Sequence, residues 1–193
     1  MRADIIGYLR YEIRRRCESE GNFFGMGCWH HILAVVKNAV ELAPQYGADP
    51  EVVEIAAWLH DIASVTDYAL YAEHHIHGAE MAKDILAKLD YDPEKTALVQ
   101  RCILNHRGSR RMEKHSPEEI CVADADAVSH FDAVPSLFYL AFVNRDLGID
   151  EGTQFVVGKL ERSYNKLSAQ GKRICRDKYR RVMAAVAGCA APG

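Results

Sequence analysis

The stretch Ala57-Trp58-Leu59-His60-Asp61-Ile62 places an imidazole and a carboxylate side by side at the end of an apolar helical run. A buried ionised carboxylate is costly unless it is paired or bound to a metal. A His-Asp hydrogen bond at a helix end would explain this dipeptide alone equally well. Further histidines and acids favour a metal site, because imidazole and carboxylate groups bind Mg, Mn, Fe, Co, Ni or Zn. These residues are His31, His74, His77, His106, Asp124 and Asp126.

Length and composition indicate a folded, single-domain protein. The chain has 193 residues, of which 49% are hydrophobic, enough to bury a sizeable core. The net charge of −3 gives no whole-chain signal for nucleic acid or a membrane surface. The first residues lack a secretory pattern, so we expect a cytoplasmic protein with reduced cysteines.

The hydrophobic periodicity is helical nearly throughout and predicts an all-α fold. Loops are predicted at about 19–28, 64–72 and 107–115. Because the last two helices carry many Lys and Arg residues and no cluster of metal-type ligands, we interpret them as packing or as the surface of a homo-oligomer. The predicted helices are about 3–18, 29–46, 51–63, 73–89, 93–106, one from Pro117 past Phe131, 135–146, and two within 151–188 separated at Gly171.

Four ligand candidates lie on three different predicted helices. His31 opens one helix, His60 and Asp61 close another, and Asp126 lies inside a third. A helix bundle can direct such side chains at one point. Two imidazoles and two carboxylates suit a six-coordinate divalent ion that keeps water ligands, and such water is a nucleophile near neutral pH.

This set resembles the H…HD…D pattern of the HD-domain superfamily of metal-dependent phosphohydrolases. Leu59-His60-Asp61-Ile62 is similar to the family's LHDI core, and Asp124-Ala125-Asp126 to its late DAD stretch. In that stretch the second acid is the ligand, which favours Asp126 over Asp124. His31-Ile32-Leu33-Ala34-Val35 is similar to H-x-x-R-V, with Ala34 where Arg is common, and this alignment favours His31 over His30.

The resemblance covers about residues 25–135 and implies a compact multi-helix HD domain. We expect one domain over 1–193, with helices from about 135–188 packed on the core. The implied cofactor is a divalent metal (Mn, Fe, Co, Ni or Mg). The implied substrate is a nucleotide or a small phosphorylated metabolite. The implied metal ligands are His31, His60, Asp61 and Asp126, with Asp61 also placed to orient the attacking water.

A second set of histidines predicts either a second ion or direct contact with the substrate phosphate. His74-His75-Ile76-His77-Gly78 resembles the H-x-x-x-G of two-metal HD proteins. The segment 103–107 resembles their I-x-x-HH, but Arg107 replaces the second His. His74 and His106 are therefore candidate catalytic residues, either holding a second ion bridged by Asp61 or contacting phosphate around one ion. His77 is the alternative to His74, because both lie on one helix about a turn apart.

Basic residues follow His106 directly. Arg107, Arg110 and Arg111 are candidate phosphate-binding residues, since guanidinium groups bind phosphate oxygens in a bidentate fork. A solvated basic loop is an equally good interpretation for any one of them.

Three functions from different classes follow from these residues. The first is a metal-dependent phosphohydrolase. The second is a di-iron HD-type oxygenase, which His74 and His106 would help to complete, although the missing second His argues against it. The third is a non-catalytic, nucleotide-binding regulatory module that keeps the metal.

Overall fold

A computed structural model describes residues 1–107 and 114–188, and it confirms the all-α fold. No strand occurs in these residues, and each of their helices is too short or too polar to cross a membrane. A 3₁₀ helix spans Tyr68–Glu73 and a π helix spans Leu140–Asn144. The α-helices are α1 Ala3–Cys17, α2 Gly25–Tyr46, α3 Pro50–Leu59, α4 Ile62–Thr66, α5 His74–Lys88, α6 Pro93–Asn105, α7 Pro117–Asp132, α8 Val134–Tyr139, α9 Ile149–Lys166 and α10 Ala169–Ala187.

Helix α2 begins four residues earlier than the sequence pattern predicts. Gly25 has a φ of 56°, which glycine adopts at little cost, and the Phe24 N–H donates to Asn22 Oδ1 at 3.0 Å. The helix therefore starts within the predicted glycine-rich loop. His31 lies in its second turn rather than at its beginning.

The predicted helix over 51–63 is interrupted at the two residues that carry the candidate ligands. Helix α3 ends at Leu59, and α4 begins at Ile62. Asp61 leaves the helical conformation, with φ −111° and ψ 15°. The predicted loop over 64–72 is also wrong, because α4 and the 3₁₀ helix occupy most of it.

Helix α7 lies between two clusters of buried apolar side chains. Cys121 and Val122 pack in a cluster with side chains of α1 to α6. Val128 and Phe131 pack in a second cluster with side chains of α8, α9 and α10. The acidic residues between these two pairs consequently lie where the two clusters meet.

The predicted separation of the last two helices at Gly171 is wrong. Helix α9 ends at Lys166, and Ser168 caps α10 by accepting the Gly171 N–H at 3.0 Å. A Cβ at Gly171 would lie 2.4 Å from Asp124 Oδ2. This glycine therefore permits close packing of α10 on α7 rather than ending a helix.

Candidate metal centre

The Asp61 carboxylate lies between two pairs of histidines. Its Oδ2 is 3.7 Å from Nε2 of His31 and 3.4 Å from Nε2 of His60. Its Oδ1 is 3.5 Å from Nε2 of His74 and 3.9 Å from Nε2 of His106. One carboxylate therefore offers one oxygen to each pair.

Asp126 completes the group on the His31 side. Its Oδ1 lies 3.5 Å from Nε2 of His31, and its Oδ2 accepts a hydrogen bond from Lys166 Nζ at 2.5 Å. Two sets of three residues have ligand atoms within 4.8 Å of one another, which is close enough to hold a metal ion. They are His31, His60 and Asp126 on one side, and Asp61, His74 and His106 on the other.

Three of the four histidines bond a backbone carbonyl through Nδ1. A carbonyl oxygen only accepts, so each Nδ1 carries the proton and each Nε2 keeps its lone pair toward the site. This arrangement is typical of metal-binding histidines. The pairs are His60 with Ala57 at 2.8 Å, His74 with Tyr71 at 2.8 Å, and His106 with Ile103 at 2.6 Å.

Ser129 sets the orientation of the fourth histidine. Its hydroxyl donates to the Asp126 carbonyl oxygen at 2.6 Å, so its lone pair accepts the Nδ1–H of His31 at 3.0 Å. His31 therefore also directs an Nε2 lone pair into the site. The residue that fixes this ring lies on α7, within one turn of Asp126.

Within each pair of histidines the two Nε2 atoms lie close together. Two neutral rings in this position repel each other unless a proton or a cation lies between them. His31 Nε2 is 3.3 Å from His60 Nε2, and His74 Nε2 is 3.2 Å from His106 Nε2. Where both rings of a pair are neutral and carry their proton on Nδ1, these contacts bring lone pair against lone pair. A cation near each pair removes that repulsion, and the donor set of imidazole nitrogen and carboxylate oxygen fits a divalent metal.

Burial and charge set the protonation of these groups. Burial lowers the pKa of His31 to about 4 and that of His106 to about 3, which keeps both rings neutral. Burial opposes the charged form of His60 as well, but the Asp61 carboxylate outweighs it and raises that pKa to about 9, so without a metal Nε2 of His60 carries a second proton at the position that a metal ion would take. Burial likewise opposes ionisation of Asp61, yet His60 holds its pKa well below the ordinary value.

The structure separates the alternatives that the sequence leaves open. Asp124 does not face the histidines: it accepts from the Tyr46 hydroxyl at 2.6 Å and from the Ser168 N–H at 2.9 Å. His77 and His30 are exposed, whereas His74 and His31 lie in the site.

The candidate phosphate-binding arginines are only partly described. Arg107 lines the cavity beside His106 and donates to the Ala72 carbonyl oxygen. Arg110 and Arg111 lie outside the described residues.

A cavity of about 800 Å³ opens over the two ligand sets. Apolar side chains of α8 and the π helix, including Leu137 and Leu140, form part of its wall. Sequence reasoning missed the contribution of α9, which it interpreted as packing or an oligomer surface. Lys159, Arg162 and Lys166 line the cavity, and their i, i+3, i+7 spacing is the signal that predicts one common face.

Comparison with solved structures supports this fold. YpgQ of Bacillus subtilis matches with a TM-score of 0.71 and 15% identity, over 96% of this chain and 94% of that one. The structure of YpgQ in complex with ADP matches with a TM-score of 0.60 and 19% identity, over 93% and 99%. A predicted HD superfamily hydrolase from an uncultured Thermotogales bacterium matches with a TM-score of 0.54 and 19% identity, over 92% and 91%.

Comparison of sequences shows the family. Ribonuclease Y of Clostridium botulinum is 33% identical over 125 residues, and that of Clostridium tetani is 32% identical over 125 residues. The matches cover 65% of this chain but about a fifth of those relatives, 21% and 20%. The pattern of the HD domain matches residues 28–130, more than half of the chain. The chain therefore belongs to the HD domain family.

Proposed function

We propose that this protein is a metal-dependent phosphohydrolase acting on a nucleotide or a small phosphorylated metabolite. In this proposal His31, His60 and Asp126 hold one divalent ion, His74 and His106 hold a second, and Asp61 bridges them. The observation that carries the proposal is the convergence of four imidazole Nε2 atoms on the two oxygens of Asp61.

A divalent ion bound there lowers the pKa of coordinated water and makes hydroxide available for attack on phosphorus. The protein residues supply position and charge. Asp61 and the four histidines fix the geometry, because each ring is held by a second hydrogen bond through Nδ1. Arg107 lies at the cavity wall, where a guanidinium can bind phosphate oxygens.

The charge of the cavity favours phosphate chemistry over the oxygenase alternative. Of the residues that the structure describes, five basic side chains and two carboxylates line it, an excess of three positive charges, in a chain whose net charge is −3. Such a cavity attracts anions. The names of the relatives agree with phosphate chemistry, since one is a ribonuclease and another was solved with ADP.

The test starts with elemental analysis of protein purified without chelator, because imidazole and carboxylate ligands accept Mn, Fe, Co, Ni or Mg. The protein is then loaded with each metal and assayed against a panel of nucleotides and phosphomonoesters. The matched control is the His60→Ala variant. Turnover by the wild type that the variant lacks supports the proposal.

Other outcomes would overturn the proposal. Nucleotide binding without turnover for any metal would indicate a regulatory module. Two irons per chain with oxygen consumption and no phosphate release would indicate an oxygenase. The homo-oligomer stays a prediction, which light scattering during size-exclusion chromatography checks.

A further inference from the structure

Helix α9 presents a row of three cations to the cavity. Lys159, Arg162 and Lys166 are spaced so that they lie on one face, over about 10 Å of helix. We propose that Lys159 and Arg162 bind a second phosphate group of the substrate, beside the phosphate that the metal centre attacks. This inference rests on the proposed function and extends it to a substrate with at least two phosphates.

Lys166, at one end of this row, contacts a candidate metal ligand. Lys166 Nζ lies 2.5 Å from Asp126 Oδ2, while the other oxygen of Asp126 faces His31. A phosphate held over the ligand sets is therefore adjacent to the end of α9. A second phosphate of the same molecule is within reach of the next cations along that helix.

Lys159 is half-buried in the cavity wall. Within residues 1–107 and 114–188, no carboxylate lies within ion-pair distance of its ammonium group. A partly buried ammonium without an ion-pair partner is unfavourable, and an anionic ligand in contact with it would reduce that cost. Lys166, by contrast, already has Asp126 as its partner.

Arg162 is placed at the exposed rim of the cavity by a glycine. Its Nη1 lies 3.0 Å from the position that a Cβ at Gly158 would occupy. The absence of a side chain at Gly158 lets the guanidinium lie against the helix. No hydrogen bond from this guanidinium occurs within residues 1–107 and 114–188, so its N–H groups can bind the paired oxygens of a phosphate.

The charge of the cavity is larger than a single phosphate needs. Its excess of three positive charges is present before any metal is counted. A phosphomonoester carries about two negative charges at neutral pH. A substrate with a second phosphate group matches the excess better, and α9 supplies three of the five cations.

The test compares two probes, inorganic phosphate and imidodiphosphate, by calorimetry on protein held in excess Mn²⁺. We expect the wild type to bind imidodiphosphate more tightly. Lys159→Met and Arg162→Met should each weaken imidodiphosphate binding by about tenfold and change phosphate binding by less than about threefold. Lys159→Arg should restore most of the preference.

Two exposed residues away from the cavity provide matched controls. Lys83→Met in α5 and Arg173→Met in α10 remove the same charges and should leave both affinities unchanged. Affinity for Mn²⁺ alone is measured for every variant, and circular dichroism checks the fold. Because Arg162 is exposed and Lys159 is only half-buried, we expect their variants to fold normally.

The outcomes separate this inference from the function on which it rests. Equal affinity of the wild type for the two probes, or an unchanged preference in both variants with normal Mn²⁺ binding, overturns the inference alone. A wild type that binds no metal overturns the proposed function and this inference with it.

Discussion

Asp61 Oδ1 lies 3.5 Å from Nε2 of His74, while the other oxygen of the same carboxylate lies 3.4 Å from Nε2 of His60. One short side chain thereby joins two sets of ligands. The break between α3 and α4 makes this possible, because Asp61 leaves the helix at that point. This arrangement predicts two divalent ions per chain.

His74→Ala should bind one divalent ion per chain where the wild type binds two, because the second ion loses one of three protein ligands. Asp61→Ala should lose more, since both sets use its carboxylate. Metal content after loading and desalting measures this. His77→Ala, an exposed histidine on the same helix, is the control and should keep two ions. Two ions retained in His74→Ala would contradict the bridged arrangement.

Ser129→Ala should weaken metal binding about tenfold or more without unfolding the protein. The substitution removes the acceptor that holds Nδ1–H of His31, so the ring is free to change tautomer and orientation. Isothermal titration with Mn²⁺ measures the affinity. Ser163→Ala is the matched control, because Ser163 contacts His130 at 3.1 Å in the same way and His130 belongs to neither ligand set. Equal losses in both variants would argue against an effect specific to His31.

Substitution of Asp124 should affect mainly the free energy of unfolding, and substitution of Asp126 should affect mainly metal binding. Asp124→Ala removes the acceptor for Tyr46 and Ser168 and should lower the free energy of unfolding by about 1–3 kcal/mol, with metal content unchanged. Asp126→Ala should reduce metal content and change the unfolding free energy less. Urea unfolding in chelator measures the stability. Loss of metal from the Asp124 variant would reverse the assignment.

Gly171→Ala should destabilise the protein, although alanine is normally better than glycine in a helix by about 1 kcal/mol. The new methyl group would meet Asp124 Oδ2 at 2.4 Å and push α10 away from α7. Gly7→Ala in α1 is the control: apart from its own helix backbone and chain neighbours, no atom of the described residues lies within 4 Å of its Cβ position, so it should stabilise by about 0.5–1 kcal/mol. Thermal unfolding shows whether each variant is stabilised or destabilised relative to the wild type. A stabilised Gly171→Ala variant would refute the close packing.

Ionisation of Glu51 should make the free energy of unfolding depend on pH in the acid range. Burial opposes its ionisation, but Lys95 Nζ at 3.1 Å and the Arg2 N–H at 2.6 Å outweigh burial and lower its pKa from 4.5 to about 2. A lowered pKa in the folded state stabilises the protein above pH 4.5, and this is lost as the pH falls toward 2.

Glu51→Gln should therefore cost about 1–2 kcal/mol at pH 7, and the difference from wild type should shrink below pH 4.5. Urea unfolding at a series of pH values measures it. The exposed Glu80→Gln is the control and should follow the wild type. A difference that stays constant down to pH 2 would show that Glu51 does not carry the effect.

The sequence alone determined the helical class and the candidate ligands. Hydrophobic periodicity and helix-start residues such as Asp49, whose carboxylate accepts from the Glu51 N–H at 2.9 Å, are local signals that need no knowledge of packing. The resemblance to the HD-domain pattern named His31, His60, Asp61 and Asp126, and the structure brings these residues together. The helical features are readable because each depends on neighbours a few positions away in the chain, whereas the ligands are readable because each lies in a short motif.

Tertiary structure decided which helices meet and what each side chain faces. Asp124 and Asp126 are two residues apart, yet packing of α10 ties the first to Ser168 while the second faces His31. The cations of α9 reach the cavity because its apolar face packs on the second half of α7. Such contacts join residues tens of positions apart, and they depend on the packing of whole helices, which local sequence patterns do not encode.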